Sequence, residues 1–219
     1  MTIHLKPAAE LAERVLLPGD PHRALAVAQV LMVKPKMFNH HRGLWGYTGT
    51  ARDGELLSIQ ATGMGGPSAA IVVEELIQLG ARTLIRIGTC GALNGELGMG
   101  DLVRVRTALA RDGTSKALGA RGQVDPDRDL TNRIEAPAVT AVSVDVFYGH
   151  PDTTGADVVE MESATIFQVA RLRGVHAAAV LGVTDLLHEG QRERTEQDEL
   201  EELGRRLGES AYTALAAGG

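Results

Sequence analysis

Residues 63–93, GMGGPSAAIVVEELIQLGARTLIRIGTCGAL, constrain the fold more than any other part of this chain. They follow a strand-like run at 56–61 and open with a glycine turn, Gly63-Met64-Gly65-Gly66. Pro67 and Ser68 suit the start of a helix, and Glu74 and Glu75 are expected in its early turns, where the helix dipole favours negative charge. Ile71, Val72, Val73, Leu76, Ile77 and Leu79 form an apolar face at helical spacing, and Gly80 is a natural stop. The run 83–87 is then apolar on both faces, as in a buried parallel strand, and a second tight turn is expected at Gly88–Gly91. Strand, helix and strand in this order predict a crossover that places both glycine turns at the carboxyl edge of one sheet, where open α/β sheets bind ligands.

Arg86 is out of place in that strand. A guanidinium among apolar residues is costly unless an opposite charge meets it. Its planar fork suits a phosphate or carboxylate ligand, with Thr89 adding a hydroxyl at the same strand end. A structural ion pair with an Asp or Glu elsewhere in the chain explains it equally well.

The first part of the chain repeats the device. A short strand at 15–17 runs into Pro18-Gly19-Asp20-Pro21, and a helix is expected at 22–31. Arg23 falls in its first turn, where a cation opposes the dipole; a bound anion would turn that conflict into cooperation, whereas a solvated side chain would need no explanation. Residues 37–47 read as an exposed loop carrying His40, His41 and Arg42. Without a third ligand the His pair is no metal site. A hairpin is expected to pair 46–50 with 56–59 across Asp53-Gly54. Further strands are expected at 101–108, near a sheet edge, at 138–148 and at 175–184, with loop and a turn of helix from Asp129 at 111–133, and helices at 158–173 and around Leu200, Leu203 and Leu207. Glu160 and Glu162 then stand at a helix start, and Asp185, like Arg86, is a charged residue at the end of an apolar strand.

With 219 residues the chain suits one α/β domain spanning 1–219. A net charge of −6 with 3 Phe, 3 Tyr and 1 Trp argues against a nucleic-acid partner. A single cysteine, Cys90, excludes an internal disulfide and suits a reducing compartment. No run approaches the roughly 18 apolar residues of a membrane span, so a cytoplasmic protein is expected.

Six motifs in order resemble one family: Leu17-Pro18-Gly19-Asp20-Pro21-x-Arg23, Gly63-Met64-Gly65-x-Pro67-Ser68, Glu74-Glu75-Leu76, Ile85-Arg86-x-Gly88-Thr89-Cys90-Gly91-Ala92, Val159-Glu160-Met161-Glu162, and the strand-end Asp185. Together they are similar to the purine and uridine phosphorylase superfamily, in its hexamer-forming branch. The resemblance implies a three-layer α/β/α fold around a mixed, partly barrel-like sheet. It also implies phosphorolysis of a nucleoside to free base and pentose 1-phosphate, with no cofactor beyond inorganic phosphate as co-substrate. By the same resemblance, Gly19, Arg23, Arg86 and Thr89 hold the phosphate, and Arg42 reaches the phosphate of a partner subunit. His4 crosses the dimer interface to the sugar, Met161 and Glu162 bind the ribose, and Cys90, Gly91, Phe147, Val159 and Glu160 border the base. Asp185 is the candidate acid for protonating the purine at N7. The assembly implied is a homohexamer, a trimer of dimers.

Asp185 favours purine, because the uridine branch lacks an acid there. The Gln-x-Arg pair with which that branch reads uracil is also missing from residues 150–157. Gly66-Pro67-Ser68, residues 75–80 and Glu162-Ser163-Ala164-Thr165 look more like the uridine branch. Three features depart from the pattern: Leu186 and Leu187 after Asp185, contracted segments at 129–140 and 149–158, and the arginine that assists the acid, for which Arg194 is the nearest candidate and Arg192 the next. A phosphate-independent nucleosidase shares the fold but has no need of Arg23, Arg42 and Arg86. A dinucleotide oxidoreductase would need a third glycine where Ser68 stands. A serine hydrolase would need the G-x-S-x-G elbow. A nucleoside- or phosphate-binding protein with a degraded site has only the contracted segments in its favour.

Overall fold

Two α-helices separate three groups of strands in the first half of the chain in the computed structural model, which describes residues 2–187 and 193–217. In order they are β1 (Arg14–Pro18), α1 (Pro21–Leu31), β2 (Met32–Asn39), β3 (Gly46–Ala51), β4 (Leu56–Gln60), α2 (Gly66–Leu79) and β5 (Thr83–Ala92). The second half continues with β6 (Leu102–Ala110), α3 (Gly113–Ala117), β7 (Gln123–Val124), α4 (Arg128–Asn132), β8 (Ala138–Ser143), β9 (Val158–Glu160), α5 (Ser163–Arg173), β10 (His176–Leu186), β11 (Glu193–Arg194) and α6 (Gln197–Ala216).

All the strands belong to one mixed sheet. β10 pairs with both β5 and β6, which closes β5, β9, β8, β6 and β10 into a five-stranded barrel-like ring. From that ring the sheet runs out through β1, β4, β3 and β2. β4, β1, β5 and β10 are mutually parallel, so their carboxyl ends share one edge. Side-chain alternation divides the core. Leu16, Ile85, Ile87, Ala178 and Val180 pack with α1 and α6, whereas Val15, Leu17, Leu84, Ala177 and Ala179 pack with α2 and α5. Burial on both faces is why these strands read as continuous apolar runs.

Several elements differ from expectation for local reasons. β5 does not turn at Gly88 but runs on to Ala92. Its glycines admit close neighbours: a Cβ on Gly88 would lie 2.6 Å from Arg86 Cζ, and one on Gly91 would lie 2.6 Å from Leu187 Cδ1. Residues 158–160 are strand rather than helix, and α5 begins only at Ser163. The strand from 138 ends at Ser143, leaving Phe147 and Tyr148 outside it. β6 is not an edge strand, since it pairs with β7, β8 and β10. β2 is an added strand; Pro35, the left-handed backbone of Lys34 and a register shift between Val33 and Lys36 make it irregular, which an edge position tolerates. The hairpin across Asp53-Gly54 is present, with Gly46 opposite Gln60 and Thr50 opposite Leu56. Glu74 and Glu75 lie in the second half of α2, away from its N-terminus.

Candidate active site at the carboxyl edge

The shared edge of the parallel strands gathers most of the expected residues. Gly19 follows β1 and accepts the Gly63 amide at 3.1 Å, joining the two phosphate-loop candidates. Asp20 caps α1 by accepting from the backbone amides of His22 and Arg23, which fixes the first turn and with it the start of the Arg23 side chain.

Arg23 is mostly buried rather than solvated. Its Nη1 donates to Ile87 O at 3.5 Å, and among the described residues it has no carboxylate within ion-pair distance. Burial holds its pKa below the ordinary guanidinium value, Asp20 partly offsets this, and the nearby Arg86 pushes the same way as burial. Two cations are thus near each other where β5 passes the carboxyl end of β1, Arg86 from the α2 and α5 side and Arg23 from the α1 side.

Arg86 is 3 % exposed and doubly paired. Nε donates to Glu160 Oε2 at 3.0 Å, and Nη2 lies 2.6 Å from Glu162 Oε2. The structural ion pair is thus the contact the fold provides. Burial works against the charged guanidinium, but Glu162 and then Glu160 outweigh it and hold the pKa above its ordinary value. Glu162 also accepts the Gly65 amide at 2.5 Å, which ties the β4–α2 glycine loop to the start of α5. Burial raises the Glu162 pKa, Arg86 opposes this, and Glu160 adds to it.

Glu160 has both oxygens engaged within the protein. Besides Arg86 they accept from Ser143 Oγ and from the backbone amides of Glu162 and Ser163, and the Ser143 hydroxyl oxygen in turn accepts from Ala164 N. Glu160 thereby satisfies amide donors at the opening of α5, the orphan groups of any helix N-terminus. Met161, between the two glutamates, is half-buried. Val159 lies opposite Gly91 in the β5–β9 pairing.

Asp185 stands opposite Gly91 where β10 shifts register against β5, and Thr184 Oγ1 donates to one of its carboxylate oxygens at 3.0 Å. Its backbone pairs with that of Arg194 in β11, so a candidate helper is in register with the candidate acid; Arg192 lies outside the described residues. Thr89 is half-buried opposite Gly182. Cys90 is buried with its thiol turned to Gly182 O at 3.7 Å. Burial pushes the thiol far above its ordinary pKa, Glu160 and Asp185 push the same way, and Arg86 opposes them. Phe147 is 45 % exposed and packs edge-on against Tyr148, with ring centroids 5.0 Å apart.

His4 and the Arg42 turn lie beside each other. His4 Nδ1 is 2.8 Å from Glu75 Oε1, and the Glu75 carboxylate accepts the backbone amides of Ile3, His4 and Leu5. Burial raises the Glu75 pKa, but the Leu5 and His4 amides, the His4 ring and the Ile3 amide outweigh it and hold the group at about 2. His41 Nδ1 contacts His4 O at 3.1 Å, bringing the Arg42 turn beside the same segment. Arg42 is exposed with left-handed backbone, and among the described residues no hydrogen bond or ion pair links it to Arg23, Arg86 or Glu162.

Ser143, Gly65 and Glu75 were not singled out as partners from sequence. Ser143 bonds Glu160 and the Ala164 amide, and Gly65 bonds Glu162, contacts between separate elements that leave no periodic trace. Among the described residues, no group of three or more His, Cys, Asp or Glu could hold a metal ion, and no helix is long and apolar enough to cross a membrane.

Residues 13–217 match the Phosphorylase superfamily, and the chain belongs to that family. It is similar to the DeoD-type purine nucleoside phosphorylase of Geobacillus kaustophilus, 32 % identical over 91 % of this chain and 92 % of that one. The DeoD-type purine nucleoside phosphorylase of Caldanaerobacter subterraneus is 35 % identical over 90 % of this chain and 93 % of its own. The crystal structure of uridine phosphorylase from Vibrio fischeri superposes with a TM-score of 0.80 at 25 % identity, covering 94 % of this chain and 92 % of the other.

Proposed function

We propose that this chain is a purine nucleoside phosphorylase: it transfers the pentosyl group of a purine ribo- or deoxyribonucleoside to inorganic phosphate, releasing free base and pentose 1-phosphate. One observation carries the phosphate half of this reading. Arg23 is a mostly buried cation beside Arg86 with no carboxylate of its own among the described residues. A dianion between the two guanidinium groups supplies the missing charge.

In this reading Gly19, Arg23, Arg86 and Thr89 hold the phosphate beneath C1′. Glu162 accepts from the sugar hydroxyls with Met161 against the ring, and Cys90, Gly91, Phe147, Val159 and Glu160 border the base. Phosphate is a weak nucleophile, and the sugar passes through a cation-like state as the glycosidic bond lengthens. Fixing the dianion below that carbon supplies positioning and charge stabilisation together. Asp185 gives a proton to N7, so that the base leaves neutral, and Arg194 is the candidate helper. His4 and the Arg42 turn lie beside each other, and Arg42 is exposed, which suits residues that complete the site of a neighbouring subunit. A cytoplasmic homohexamer built as a trimer of dimers, with inorganic phosphate as co-substrate and no further cofactor, follows from the same reading.

The test is a panel of inosine, adenosine, guanosine and uridine, each with and without phosphate. Phosphate-dependent release of a purine base is expected. Preferential cleavage of uridine supports the uridine phosphorylase alternative, for which the Vibrio fischeri enzyme is the structural precedent. Base release that ignores phosphate supports a nucleosidase and overturns the role of Arg23.

A further inference from the structure

Two glycines interrupt α6 one turn apart, Gly204 and Gly208, well inside a helix that spans Gln197–Ala216. Glycine there is unfavourable, since it has more backbone freedom to lose than any other residue. Both face α1. A Cβ on Gly208 would lie 2.5 Å from Val27 Cγ1, so that glycine lets the two helices meet. A Cβ on Gly204 would first meet Arg23 rather than a core side chain. Its nearest neighbours would be the stem of Arg23, with Cγ at 3.2 Å and Cδ and Nε both at 3.5 Å.

The helix has little room to retreat. On the same turn Leu203 is wedged onto Gly182 of β10, where a Cβ would lie 2.8 Å from Leu203 Cδ1. Farther along, Tyr212 Oη accepts the Asp53 amide at 2.9 Å, and Glu209 pairs with Arg52, pinning α6 to the β3–β4 turn. A methyl group at 204 must therefore be accommodated by Arg23. That side chain has little else to hold it, with one long hydrogen bond to Ile87 O and no ion pair among the described residues.

We propose that Gly204 is a positioning residue for phosphate: the bare backbone of α6 is the wall against which the Arg23 stem lies, and it sets where the guanidinium stands beside Arg86. This rests on the phosphorolytic reading above and assigns to α6 a part in phosphate affinity that neither its amphipathic pattern nor its burial implies.

The experiment compares Gly204→Ala, Gly208→Ala, Arg23→Ala and the Arg23→Ala/Gly204→Ala double variant. Initial rates are taken with phosphate and nucleoside varied in turn, inorganic phosphate binding is measured by calorimetry, and Tm is recorded for each. Gly204→Ala is expected to raise the phosphate KM at least fivefold, leave the nucleoside KM within twofold and not lower Tm, because alanine favours the helix. Gly208→Ala is expected to lower Tm with the phosphate KM unchanged. In the Arg23→Ala background the Gly204 change should add nothing to the phosphate KM. An unchanged phosphate KM for Gly204→Ala, or an undiminished effect without Arg23, overturns the assignment while leaving the reaction intact. Wild-type protein that neither binds inorganic phosphate nor uses it overturns both.

Discussion

Glu162 Oε2 lies 2.6 Å from Arg86 Nη2, so the carboxylate assigned to the sugar and a guanidinium assigned to phosphate share one buried contact. The two half-sites are thereby mechanically joined. Arg23 stands outside that contact, although it approaches the same part of β5, level with the end of β1.

This difference separates two substitutions. Arg23→Ala should raise the phosphate KM by about 10- to 100-fold, the scale of one lost charge-assisted contact, with the nucleoside KM nearly unchanged. Arg86→Ala should raise both constants and lower stability by about 3–5 kcal/mol, because it strands Glu160 and Glu162 as uncompensated buried carboxylates. Two-substrate kinetics and denaturant unfolding read the contrast. Equal effects of the two variants on nucleoside KM would contradict it.

Asp185→Asn keeps the shape of the side chain and removes the acid. Purine phosphorolysis should fall by about 10²–10⁴ in kcat, while phosphate binding stays within twofold. A nucleoside whose leaving group needs no protonation should be far less affected. If the loss is the same for that substrate, Asp185 has another role.

Glu75 yields a pH prediction. Its carboxyl is held at about 2 in the folded chain against an ordinary value of 4.5, so its contribution is present above pH 4.5 and is lost as pH falls from there towards 2. The amount is at most about 3 kcal/mol. Asp53, also held near 2, through Arg14, titrates in the same window, so the informative quantity is the difference between wild type and Glu75→Gln. The variant should show a shallower decline of Tm between pH 5 and 3 and earlier proteolysis near Ile3 and His4.

Cys90 should be inert in the native protein. Its thiol is buried and its pKa is driven far up, chiefly by burial. Thiol reagents at neutral pH are expected to leave it unlabelled until denaturant is added. Fast native labelling would show that the β5 end opens.

The residues carrying charge against a local rule were legible. Arg86 in an apolar strand and Arg23 in a first helical turn are conflicts that single-sequence physics detects, and the fold brings both to the candidate site. The element boundaries around the site were less visible. Residues 158–160 read as helix because Val158-Val159-Glu160 continues the polarity of α5, and the strand pairing with β5 and β8 that overrides it is non-local. Gly88 and Gly91 read as a turn because glycine at a strand end usually makes one. Here the lack of a Cβ accommodates Arg86 and Leu187, a demand set by side chains folded onto the strand.

By itself the order of residues determined the main strands and helices, the edge at which the candidate residues collect, and the family motifs that name a phosphorylase. Only the folded chain decided that Arg86 is shared between Glu160 and Glu162, that Arg23 has no such partner among the described residues, and that the Arg42 turn lies beside His4. The reason is physical. Periodicity and turn chemistry are local and recur along a sequence, whereas a hydrogen bond or ion pair between residues some 70 to 100 positions apart depends on which strand ends the barrel closure brings side by side.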